Sequence, residues 1–142
     1  MSQLNPVDVT FRLMYELKKS IHRQMGYLDC SLNPGDINVL KEIASHDGNI
    51  TANEIANLLN RDKAQITRIL ILLIKENMIE KQANPNDKRS QFLVMTNRGK
   101  AIHQQISKVD QLMLEQLGEG LSKQELQTFQ NLAEKMILNL EV

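Results

Sequence analysis

A chain of 142 residues, 42% hydrophobic with 4% aromatics and no tryptophan, has room for one domain or two small lobes sharing a core, built from Leu, Ile and Met by helix packing. Cys30 is the only cysteine, which excludes an intrachain disulfide and suits a reducing compartment, and the longest nearly apolar stretch, residues 69–74, is too short to span a bilayer. The formal net charge is zero, yet residues 61–100 hold nine Lys or Arg against four Asp or Glu, while residues 1–60 hold five against seven and residues 101–142 three against six. A basic middle between mildly acidic, apolar-striped segments fits a unit that binds a polyanion.

Val7, Phe11, Met14, Leu17, Ile21, Met25 and Leu28 recur at spacings of three and four and predict a long helix over 7–28, with Pro6 near its start and Gly26 weakening its last turn. Asn33-Pro34-Gly35-Asp36 opens a second helix striped by Ile37, Leu40 and Ile43, and His46-Asp47-Gly48-Asn49 ends it with turn chemistry. Thr51, with Glu54 three residues later, is a capping pattern for a short helix that buries Ile55, Ala56, Leu58 and Leu59. Asn60 is the expected cap of the next helix, with Asp62 in its first turn. That helix is expected to bury Ile66, Ile69, Leu70, Leu73 and Ile74. Its other face carries Lys63, Gln65, Arg68 and Lys75, with Thr67 at the margin.

Asn77 is suited to end this helix in a left-handed turn. Met78 to Ala83 reads as extended, Asn84-Pro85-Asn86-Asp87-Lys88-Arg89-Ser90 as a turn with a basic tip, and Gln91 to Met95 as the clearest strand, together a hairpin. After Gly99 a third major helix carries Ile102, Ile106, Val109, Leu112 and Met113, and Gly118 and Gly120 break it. Ser122 with Glu125 forms a second capping box, and Leu126, Phe129, Leu132, Ala133, Met136, Ile137 and Leu140 line the last helix. No internal repeat or low-complexity tract interrupts this order.

Two short helices joined by a tight turn, then a hairpin with a basic tip, describe a winged helix-turn-helix. The expected fold is mostly α with a small β-wing, with an N-terminal helix segment (1–32), a winged DNA-binding domain (33–99) and C-terminal helices (100–142), the two flanking parts being the dimerisation helices of the family resemblance given below. A helix fits the major groove of duplex DNA and brings side chains to base edges, so Lys63, Gln65, Thr67 and Arg68 are candidate contacts. Arg61 lies at the turn, and Thr51 and Asn53 at the first helix's N-terminus face the phosphates. A loop tip has no core to serve, so Arg89 is the candidate for a minor groove and Lys88 for a phosphate.

The stretch TANEIANLLNRDKAQITRILILLIKENMIEKQANPNDKRSQFLVMTNRGK resembles the MarR family of transcriptional regulators, most specifically at NPNDKRS followed by LVMTNRG. The family couples an Asp-x-Arg in the wing to a Thr-x-x-Gly after the second wing strand, which here are Asp87, Arg89, Thr96 and Gly99. The resemblance implies a homodimer, the first helix and last two helices of both subunits interlocking, on a pseudo-palindromic, often AT-rich operator. It implies that residues 62–76 are the recognition helix, that Arg89 enters the minor groove and that Asp87 braces the wing through a salt bridge. It also implies a small aromatic or phenolic effector, for which Met14, Lys18, His22, Met25 and Tyr27 are candidates by position, and a ligand-responsive repressor as the function. Dimerisation has separate support in the broad apolar faces of 100–117 and 122–140, which a monomer of this size would struggle to cover.

The family's organic-peroxide sensors carry a reactive cysteine near the start of the first helix, whereas Cys30 follows its end and reads as an inert thiol. Cys30, His22, His46 and His103 share no close ligand spacing, so neither a metal nor a cofactor is expected. No phosphate cradle, HExxH or nucleophile elbow is present, and an enzyme is not expected. The rival reading is a winged-helix interaction module that docks an acidic protein partner. No positively charged segment precedes an apolar run at the N-terminus, so a cytoplasmic protein without a signal peptide or membrane span is expected.

Overall fold

The computed structural model describes residues 3, 5–26 and 32–141; the candidates Tyr27 and Cys30, and the predicted end of the first helix at Leu28, lie outside the described residues. Among the described residues six helices and one hairpin follow in the order α1 (Pro6–Met25), α2 (Pro34–Ser45), α3 (Ala52–Leu58), α4 (Lys63–Lys75), β1 (Ile79–Gln82), β2 (Phe92–Met95), α5 (Asn97–Leu117) and α6 (Lys123–Leu140). The chain forms two compact units, one ending at Val109 and one beginning at Asp110, so the division falls inside α5.

The core of the first unit is aliphatic. Ile37, Leu40 and Ile43 of α2, Ile55 of α3, Ile66, Leu70 and Leu73 of α4, Met78 and Ile79, Leu93 of β2, and Ile102 and Ile106 of α5 are buried together. The starts of the helices explain why they begin where they do. Asn5 accepts the Asp8 N–H at 2.9 Å ahead of Pro6. Asn33 and Asp36 form a full capping box on α2, each side chain accepting the other residue's backbone N–H at 2.9–3.0 Å. Thr51 accepts the Glu54 N–H at 3.3 Å and donates its hydroxyl to Glu54 Oε1 at 3.0 Å.

Four sequence expectations need correction. Asn60 does not cap α4. It lies in the left-handed region at φ 49° and closes α3, with the Asn60 N–H donating to the Asn57 carbonyl and the Arg61 N–H to the Ala56 carbonyl. Asp62 takes the N-cap position of α4 and makes no capping hydrogen bond. Leu58 and Ile74 are exposed rather than buried, because α3 and α4 each turn only one side to the core. Gly99 does not precede the third long helix but sits in its first turn, since α5 starts at Asn97. A Cβ at Gly99 would overlap the Met78 carbonyl, so only glycine permits this approach of helix to hairpin.

In the second unit α5 ends at Leu117, and Gly120 at φ 79° supplies the left-handed residue of the corner. Ser122 and Glu125 form the expected capping box at 3.0 Å in both directions. The backbone hydrogen bond from Ser122, then the contact with its side chain, lowers the Glu125 carboxyl below the usual range. The α6 helix buries none of its residues within this chain, and Phe129, Leu132, Met136, Ile137 and Leu140 are exposed. On α1, Val7, Phe11, Met14 and Tyr15 are exposed as well. These amphipathic helices carry apolar stripes that one copy of the chain leaves open to water.

Candidate nucleic-acid interface

The α3–α4 turn is short because Asn60 reverses the chain in a single left-handed residue. The second turn of the same kind, Asn77 at φ 60°, ends α4; the Met78 N–H reaches the Leu73 carbonyl at 2.9 Å and the Asn77 N–H the Ile74 carbonyl at 2.9 Å. Ile66, Leu70 and Leu73 anchor α4 to the core, and the opposite face is presented outward. Arg68 and Lys75 are exposed there, with Lys63 and Thr67 beside them, while Gln65 is half-buried at the other flank.

The wing is a two-stranded antiparallel hairpin in the register Ile79↔Met95, Glu80↔Val94, Lys81↔Leu93 and Gln82↔Phe92. The Leu93 N–H also donates to the Ile50 carbonyl at 2.9 Å, which ties the wing to the segment before α3. Side chains shape the tip. Asn84 Oδ1 accepts the Asn86 N–H at 3.0 Å and Asp87 Oδ1 accepts the Arg89 N–H at 2.9 Å. Among the described residues Asp87 forms no ion pair, so its contact is this backbone hydrogen bond and not the salt bridge that the resemblance implied. Lys88 and Arg89 are exposed.

Asn53, Lys63, Thr67 and Arg89 line one notch of about 230 Å³ between α3, α4 and the wing. Thr51 borders the same notch but is only 7% exposed, and its hydroxyl is committed to Glu54. Arg61 is exposed away from the notch; its Nη1 lies 3.9 Å from where a Cβ on Gly35 would sit, beside the first turn of α2. Sequence reading does not single out Ile71, Lys81 and Gln91, which also line the notch. The hairpin register and the angular position on α4 bring them there. Helical spacing alone could have found Ile71, seven residues on from the exposed Ala64.

A second concavity of about 720 Å³ lies between α1 and the start of α2. Of the predicted effector residues, Lys18, His22 and Met25 line it and Met14 does not; Tyr15, Leu32 and Ile37 complete much of its wall. His46 Nδ1 is 2.8 Å from the Glu42 carbonyl and 3.8 Å from its carboxylate, and among the described residues no three His, Cys, Asp or Glu are placed to hold a metal ion. No helix among the described residues is long and apolar enough to cross a membrane.

Comparison with known proteins finds similarity to one family. The model of the MarR family matches residues 32–91, from just ahead of α2 to the residue before β2. The multiple antibiotic resistance protein MarR of Escherichia coli K12 is 33% identical over 89 residues, which cover 62% of this chain and 62% of that protein. Over the matched stretch the chain is similar to the MarR family. The MarR of Salmonella typhimurium is likewise 33% identical, over 91 residues and 63% of each chain, so the matched stretch spans somewhat under two thirds of these relatives. Among solved structures, a mutant MarR of E. coli complexed with operator DNA superposes with a TM-score of 0.75 at 26% identity, covering 96% of this chain and 99% of that one. The MepR–DNA complex of Staphylococcus aureus gives a TM-score of 0.83 at 18% identity over 96% and 99%, a likeness of fold. The winged helix-turn-helix with flanking long helices expected from the sequence is thus the fold of this chain.

Proposed function

We propose that the chain is a sequence-specific, DNA-binding transcriptional regulator that works as a homodimer, with residues 33–99 reading DNA and residues 1–32 and 100–142 pairing the subunits. One observation carries the reading. Lys63, Arg68 and Lys75 of α4, Lys81 of the wing strand and Lys88 and Arg89 of the tip are all exposed, and none forms an ion pair among the described residues. Cations left without protein partners on a protruding helix and a protruding loop suit a polyanion whose wide and narrow grooves lie side by side.

In this reading α4 lies in the major groove, where Arg68 and Lys63 reach bases or phosphates and Gln65 reaches a base from the flank. Arg89 enters the minor groove and Lys88 meets a phosphate. Asn53 contacts the backbone from the start of α3, and Arg61 does so near α2. Thr51 acts by holding α3 in place. Two-fold symmetry puts the second α4 about 34 Å away, one turn of the duplex. The exposed apolar faces of α1 and α6 support the dimer, and the groove beside Lys18, His22 and Met25 supports a small aromatic or phenolic ligand that relieves repression. The protein acts in the cytoplasm, where its DNA is.

A mobility-shift titration with the DNA upstream of the protein's own gene tests this. The expected result is a salt-sensitive shift that a scrambled duplex of equal length does not reproduce. Equal shifts with every duplex would refute sequence-specific regulation, and no shift with any would favour an acidic protein as the partner. Repeating it with a panel of phenolic compounds tests the effector: release of the duplex by one of them is expected, and none releasing it would refute the ligand assignment.

A further inference from the structure

The outward side of α4 is not uniformly charged. Successive helix residues are about 100° apart, which lines up positions 64, 67, 71 and 74 as one strip along the exposed side. Ala64, Thr67, Ile71 and Ile74 occupy them, and all four are exposed, Ile71 by 61% and Ile74 by 37%. Thr67 joins the apolar set because its hydroxyl donates to the Lys63 carbonyl of its own helix at 2.9 Å, which removes its hydrogen from outside recognition and leaves its methyl. Arg68 and Lys75 flank the strip on one side and Lys63 on the other.

A single exposed isoleucine on a surface needs no explanation, but an aliphatic strip framed by three cations needs an occupant that is both anionic and locally apolar. The major groove of duplex DNA is such a surface. Its walls are phosphates, and the one apolar group on its floor is the C5-methyl of thymine. Resting on the DNA-binding reading above, we propose that Ile71, with Thr67 and Ala64, reads thymine methyl groups and adds selectivity for T·A pairs where α4 meets the groove. Hydrogen-bonding side chains such as Arg68 and Gln65 read a different feature, since removing the methyl leaves the donors and acceptors of the base edge unchanged.

The test uses the full-length protein and an operator duplex obtained by in vitro selection from random sequence. Thymines of each half-site are replaced one at a time by uracil, which deletes only the methyl. The parent should lose about fourfold in affinity at one or two positions per half-site, the equivalent of one buried methyl. I71A, a change at an exposed site, should bind the thymine and uracil duplexes alike. Selected sites without thymine at those positions, equal parent affinities for both duplexes while a scramble is still rejected, or an undiminished uracil penalty in I71A would each overturn the proposal. A change of oligomeric state in I71A with the uracil penalty intact would assign the strip to a second copy of the chain. A parent that cannot tell the selected duplex from its scramble would overturn the DNA-binding reading itself.

Discussion

Replacing Gly99 by alanine sets two effects against each other, and the structure decides the sign. Alanine inside a helix is favoured over glycine by about 1 kcal/mol. Here, however, the new Cβ would overlap the Met78 carbonyl, which is backbone and cannot rotate away. That carbonyl already accepts the Thr96 N–H at 3.0 Å, while the Met78 side chain is fully buried. The first turn of α5 is pinned as well. Thr96 Oγ1 donates to the Asn77 carbonyl at 2.6 Å and accepts the Gly99 N–H at 3.0 Å, and Arg98 Nε donates to the Glu76 carbonyl at 3.0 Å. Relief must come from shifting α5 away from Met78, which opens the core around Ile102 and Ile79. Overpacking of this kind costs about 3 kcal/mol, the upper end of the usual range, because the obstacle is main chain. The net loss is therefore about 2 kcal/mol. With a urea slope of about 1–3 kcal/mol per molar, the midpoint should fall by about 1 M at fixed protein concentration. Gly26→Ala serves as control, since its Cβ would meet only the Arg23 and His22 carbonyls at 3.5 and 3.6 Å. It should be neutral or gain about 0.4–1 kcal/mol. A G99A midpoint equal to the parent's would refute the close-approach argument.

Three further outcomes are expected. Asn77 holds φ at 60°, so Asn77→Val should destabilise by about 1–2 kcal/mol while Asn77→Gly does not, measured by denaturation; equal losses would remove the turn argument. Ser122→Ala should cost about 0.5–2 kcal/mol through the α6 cap. Because the folded Glu125 carboxyl is lowered, its contribution is complete above the ordinary carboxylate range and is lost as pH falls through the folded value; E125Q should flatten that part of the stability–pH curve. Light scattering at micromolar concentration should give twice the mass of the 142-residue chain, and a monomer would contradict the use made of α1 and α6.

Much of the fold was legible in the sequence because its signals are local. The Ser122–Glu125 pair, Asn77 and the turn run from Asn84 to Ser90 act within a few residues of themselves. The misreadings turn on where a helix stops or on contacts made across the chain. Asn60 looked like an N-cap by composition, but its place depends on where α3 stops. The burial of Leu58 and Ile74 depends on which neighbours arrive, and helical spacing alone does not show that. Gly99 read as a boundary because glycine usually is one; its true reason is the carbonyl of Met78, far earlier in the chain. At the site, Arg89 and Arg68 could be named from their exposed positions alone. The role of Asp87 as acceptor of the Arg89 N–H, and the arrival of Lys81 at the notch, needed the hairpin's register.

The measurement closest to the central claim is the affinity of the parent and of Arg89→Ala for one selected operator, followed by fluorescence anisotropy from low to moderate salt. Each phosphate neutralised contributes about −0.9 to the slope of log K against log salt. The wing tips of a dimer should together make the parent's line steeper than the variant's, and the variant weaker at every salt. Superimposable lines for the two proteins, or a parent line without slope, would contradict the assignment of the exposed cations to DNA.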